Sequence, residues 1–131
     1  MTNVAALEVP AANPVPKISL RFYRDEISGL NLYIHVVDFQ MGPPELAMKG
    51  RRPTGHGHLY INGRKVRRVY GPHQHLPDGL FKPGVNLVMV SLNDHDQRAW
   101  RRDGLQIQAS SFLDLEAQEL VLHSFSSSPP H

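Results

Sequence analysis

An all-β domain, an immunoglobulin-like or cupredoxin-like antiparallel sandwich of about seven strands, is what this sequence predicts. Three observations carry that expectation. Runs of strict two-residue alternation are rich in β-branched and aromatic side chains. Gly and Pro punctuate them at short, near-regular intervals, as in sandwiches and small barrels. The chain has 131 residues, 40% apolar and 20% charged, which is room for one packed core and little else.

Taken in order, residues 1–16 hold three prolines and no strand or helix period, and read as an unstructured lead. No basic segment followed by an apolar one marks a signal peptide there. The domain is expected over 17–125, with 126–131 as a loose tail. Residues 17–24 alternate Ile18, Leu20 and Phe22 with Ser19, Arg21 and Tyr23. Residues 30–39 continue with Leu32, Ile34 and Val36 on one face and Tyr33, His35 and Val37 on the other. Residues 58–61 and 65–70 flank Asn62-Gly63, the strongest short hairpin signal. An apolar strand over 85–92 follows Pro83-Gly84, another over 105–109 follows Asp103-Gly104, and 120–125 closes the set. Residues 112–122 have a weak helical alternative through Leu113, Leu115 and Leu120.

Composition removes several functional classes. With no cysteine, disulfide scaffolds, thiolate zinc sites, cysteine nucleophiles and blue-copper centres are excluded. No apolar run approaches the roughly 18 residues of a membrane span. A net charge of +2 demands no polyanionic partner. Eight histidines and four methionines direct attention to metals instead.

Three histidine-bearing segments stand out. In Gly55-His56-Gly57-His58-Leu59-Tyr60-Ile61, alternation puts Leu59 and Ile61 in the core and His56, His58 and Tyr60 together on the opposite face. Neutral imidazole suits Cu, Zn, Fe and Ni, and the flanking glycines permit close backbone approach. The second segment is Tyr70-Gly71-Pro72-His73-Gln74-His75-Leu76-Pro77. Bracketed by prolines, it reads as a rigid loop that the hairpin returns toward His56 and His58. The third is Leu92-Asn93-Asp94-His95-Asp96, where a strand gives way to a rim loop. His56, His58, His75 and His95 are therefore the expected metal ligands, with His73 and the thioether of Met41 as subsidiary candidates. The ordinary reading of each alone is a surface histidine, or for Met41 a core or rim side chain. His35 reads as a half-buried structural histidine, and His123 and His131 as bystanders.

The stretch from Leu30 to Trp100 resembles a group of bacterial, mostly exported β-sandwich proteins associated with copper handling. The matching motifs are Gly-His-Gly-His-Leu-Tyr-Ile-Asn-Gly at 55–63, Tyr-Gly-Pro-His-Gln-His at 70–75, Pro83-Gly84 and Leu-Asn-Asp-His at 92–95. The last is one residue shorter than the family pattern, and His73 stands where an aromatic residue is usual. The resemblance implies a periplasmic or exported copper-binding module, a carrier or homeostasis protein meeting a copper donor or acceptor protein. Zinc is the alternative ion.

Two other classes compete. Gly50 followed by His56-Gly57-His58 matches the opening of a cupin metal motif, but Asn62 and Gly63 stand near where its acidic ligand belongs. No nucleophile, paired-carboxylate or oxyanion-hole pattern appears, so catalysis is not expected. A protein-interaction sandwich holding structural zinc is a further alternative. Residues 49–68 hold seven basic and no acidic side chains; guarding of a strand edge explains these better than nucleic-acid binding does.

Overall fold

A computed structural model describes residues 6–43 and 53–127. Met48, Lys49, Gly50, Arg51, Arg52 and His131 lie outside the described residues, and with them the start of the cupin-like pattern and part of the basic run. Strand formation follows the alternating segments: β1 (Ala6–Glu8), β2 (Lys17–Arg24), β3 (Leu30–Val37), β4 (Gln40–Met41), β5 (Thr54–Ile61), β6 (Arg64–Val69), β7 (His73–Leu76), β8 (Val85–Asn93), β9 (Ala99–Arg102), β10 (Leu105–Gln106), β11 (Gln108–Asp114) and β12 (Val121–Ser126). Among the described residues a single 3₁₀ turn, Asp78–Leu80, interrupts the strands. The all-β expectation holds, with twelve strands among the described residues in place of about seven. The helical option over 112–122 fails. Phe112 continues β11, and a turn after Asp114 returns the chain as β12.

Two sheets pack face to face. In the larger, β8 is central, flanked by β5 along one edge and β11 along the other, with β6 outside β5 and β12 outside β11. The smaller sheet is antiparallel, in the order β2-β3-β7. Their inner faces supply one core: Ile18, Leu20, Phe22, Leu32, Ile34 and Leu76 from the small sheet meet Leu59, Ile61, Val88, Val90, Leu92 and Leu113 from the large one. Fully burying a side chain of this size stabilises by roughly 1.5–3 kcal/mol relative to leaving it exposed.

Three placements depart from the sequence reading. Ala6–Glu8, in the segment read as an unstructured lead, pairs in parallel with β9; Val9 is buried behind it and Glu8 bonds Arg101. His73–Leu76 is a strand rather than a loop, and it pairs with β3, not beside β5. The chain crosses between sheets at Gly71-Pro72, where the Pro72 carbonyl accepts the Ile34 amide. His35, on the outward face of β3, is exposed rather than half-buried.

Candidate functional site

The site begins with the glycines of β5. A Cβ on Gly57 would lie 2.6 Å from Val69 and 2.9 Å from Val90, and one on Gly55 would lie 1.8 Å from the Asn93 carbonyl oxygen. Only glycine lets β5 fit so closely between β6 and β8. The inward positions thus go to Gly55, Gly57, Leu59 and Ile61, and the two histidines point the other way together.

That outer face is covered. His56 is 1% exposed and His58 4%. Opposite them across the β5–β8 ladder stand Asn93 and Ser91, both buried. The Tyr70 ring packs on His56 at 5.1 Å between centroids, and His95 stands 6.4 Å away on the same scale. The remaining cover is the loop from Asp94 to Arg98. Asp94 staples it: one carboxylate oxygen accepts the amides of Asp96 and Arg98, and the other takes the Arg98 guanidinium at 2.7 Å. The Asn93 amide donates to the Gln97 carbonyl at 3.2 Å. So held, Gln97 sits in the left-handed region at φ 71° and turns its side chain onto the histidines. Such a conformation costs a non-glycine residue on the order of 1 kcal/mol and persists only where its surroundings impose it.

Three polar atoms converge there. Nε2 of His56 and Nε2 of His58 lie 2.9 Å apart, and Gln97 Oε1 lies 3.2 Å from the first and 2.9 Å from the second. Hydrogen atoms alone do not satisfy this triangle. A neutral imidazole offers one N–H and one lone pair, and a carbonyl oxygen offers only lone pairs. If both Nε2 atoms carry protons, two donors face each other; if one or neither does, two lone pairs do. Reversing the Gln97 amide moves the conflict to another edge without removing it. A cation accepting all three lone pairs removes it.

The electrostatics favour that use. Burial pushes the His58 pKa down to about 4, against an opposing hydrogen bond from Gln97 and with help from the nearby Lys65 charge. His56 is lowered as well, first by burial and then by Arg68, again with Gln97 opposing. Both shifts favour the neutral ring, the form that binds metal. His56 Nδ1 and both ring nitrogens of His95 are buried without a hydrogen-bond partner among the described residues.

Of the expected ligands, the structure therefore brings His56 and His58 into contact and His95 close to them. His75 and His73 go elsewhere, onto the smaller sheet, where His75 bonds Asn31. Met41 reaches the start of β5 opposite Gly55, but its side chain packs against the hydrophobic core. Among the described residues no three His, Asp or Glu side chains gather as a ready ion-binding group; the third donor beside the histidine pair is an amide. Gln97 escaped the sequence reading because no motif marks it, and only the fold of its loop carries it to β5. Asp94 builds that loop through its bonds to Asp96 and Arg98.

No protein-family model, curated protein or solved structure matches the chain. Fold and site define it as a small β-sandwich with a buried two-histidine, one-amide cluster.

Proposed function

We propose that this protein binds a transition-metal ion, copper before zinc, and serves as a carrier or homeostasis module rather than as a catalyst. The observation carrying this reading is the 2.9 Å separation of the His56 and His58 Nε2 atoms with Gln97 Oε1 against both. Two nitrogens that far apart, each about 2.0–2.1 Å from a shared ion, subtend about 90° at it. That angle suits neighbouring positions of tetragonal Cu(II) or Ni(II). Tetrahedral zinc asks for roughly 3.3 Å between its nitrogens. His95, with two unpartnered ring nitrogens beside the pair, supplies a further imidazole at the loop.

A carrier needs an ion held firmly but releasable to a donor or acceptor protein. Burial of the pair in a strand supplies the firmness, and the loop bearing Gln97 and His95 supplies a side that opens without unfolding the sandwich. The resemblance to copper-associated exported modules supports the same ion and a periplasmic or exported location. Among the described residues no helix is long and apolar enough to cross a membrane.

Titration of tag-free protein with Cu(II), Cu(I) and Zn(II) tests the proposal, using His56→Ala, His58→Ala, Gln97→Ala and His123→Ala. The expected result is tightest binding of Cu(II), losses of at least tenfold for the three site variants, and none for exposed His123. No binding by the wild type, or equal losses across the four variants, refutes it.

A further inference from the structure

The histidines that the fold separates from the buried pair have a setting of their own. On the outward face of the smaller sheet, Asn31 stands opposite His75 and Tyr33 opposite His73 across the β3–β7 ladder. With Tyr23 and Gln74 these residues line an open groove of about 580 Å³. His75 is exposed, yet its ring is held by a chain of hydrogen bonds. Asn31 Nδ2 donates to Asp25 Oδ1 at 2.8 Å, and Asn31 Oδ1 lies 2.9 Å from His75 Nδ1. Asp25 is itself fixed by the backbone amides of Ile27 and Ser28.

This chain settles the tautomer of His75. A carboxylate only accepts, so the Asn31 amine must face Asp25 and its oxygen must face His75. An oxygen cannot donate, so Nδ1 carries the proton. In the neutral ring Nε2 is left with a lone pair, and among the described residues it has no hydrogen-bond partner. Ring position is restrained too: Gly29, at φ 79°, lies under the imidazole, and a Cβ there would be 2.5 Å from the Leu76 carbonyl oxygen and 3.2 Å from His75 Cε1. The Arg67 guanidinium pins the His75 carbonyl at 2.7 Å. Donation of the far N–H to an oriented acceptor is the arrangement that metal-ligating histidines ordinarily have.

His73 projects from the same strand two residues earlier, on the same face, about 6.5–7 Å away along the chain, with its ring 5.0 Å from Tyr33. Imidazoles at that spacing reach a common ion between them. We propose that His73 and His75 form a second, solvent-facing site for a divalent transition-metal ion, separate from the buried pair, with Asn31 as the positioning residue for His75. Two imidazoles and open water positions make it the weaker and faster-exchanging of the two sites, suited to first capture of the ion. It stands on residues that the buried pair does not share.

The experiment titrates the full chain with Cu(II) by calorimetry and with Zn(II) under ¹⁵N NMR of the histidine rings. Wild-type protein is expected to show a tight and a weak Cu(II) event, with Zn(II) moving the His75 Nε2 resonance. His73→Ala and His75→Ala, both at exposed positions, should abolish the weak event and leave the tight one. Asn31→Ala should weaken it about tenfold and mix the His75 tautomers in the ¹⁵N spectrum, a change that a purely structural role would not produce. If the buried pair binds nothing, a single event remains and disappears with His75→Ala, so the two readings fail separately. Absence of a weak event, its survival in both histidine variants, its loss only with His35→Ala or His123→Ala, or an unmoved His75 resonance would overturn the proposal.

Discussion

Mild acid should weaken the metal-free protein through His58. Its pKa is about 4 in the folded chain against 6.5 for an unperturbed ring, because burial disfavours the imidazolium. The unfolded chain therefore takes up the proton first as pH falls. The stabilising difference is complete above pH 6.5, is lost progressively between 6.5 and about 4, and loses nothing further below. At 1.36 kcal/mol per pKa unit, the whole window is worth roughly 3 kcal/mol, of which about 2 kcal/mol has gone by pH 5. For a domain of this length that is a Tm drop of roughly 6–10 °C. His56, lowered for the same first reason, adds in the same direction. Asp25, whose carboxyl is lowered chiefly by the Asn31 amide, acts only at still lower pH. Urea unfolding of EDTA-treated protein from pH 7.5 to 4.5 measures the effect, with His58→Leu as the comparison. The variant should lose most of the slope between pH 6.5 and 5. A flat wild-type profile, or equal slopes in the two proteins, would show that His58 is not buried as described.

Three further outcomes follow from the same geometry. Gly57→Ala forces a methyl group into Val69 and Val90 and should cost about 1–3 kcal/mol in chemical denaturation, whereas Gly55→Ala meets backbone at Asn93 and should cost more. Gln97→Gly relieves the left-handed conformation while removing the amide donor, so thermal stability should stay within about 1 kcal/mol of wild type as Cu(II) affinity falls at least tenfold. Asp94→Ala leaves the Arg98 and Asp96 amides without their acceptor and should cost about 2–3 kcal/mol, with hydrogen exchange accelerating first in residues 94–98.

Features legible in the sequence are those set within a few residues. Asn62-Gly63 and Asp103-Gly104 both adopt the paired left-handed conformations of a tight hairpin, at φ 53° and 82° and at 53° and 79°. Alternation assigned the inward faces of β2 and β3 correctly, because a two-residue period leaves no choice once one face is apolar. The same rule put His56 and His58 side by side. What it left open was whether their face meets water, since that depends on the loop bearing Gln97, 41 residues beyond His56 and 39 beyond His58.

Sequence by itself determined the longer strands, the tight turns at Asn62-Gly63 and Asp103-Gly104, the inward faces of β2 and β3 and the pairing of two imidazoles on one strand, all consequences of backbone geometry acting over short spans. Only tertiary structure decided that Gly71-Pro72 carries His73 and His75 to the second sheet, that β1 closes against β9, and that Asp94 bends its loop until Gln97 touches both histidines. Those outcomes depend on which surfaces meet. Local period says which way a side chain faces, but not what the rest of the chain lays over it.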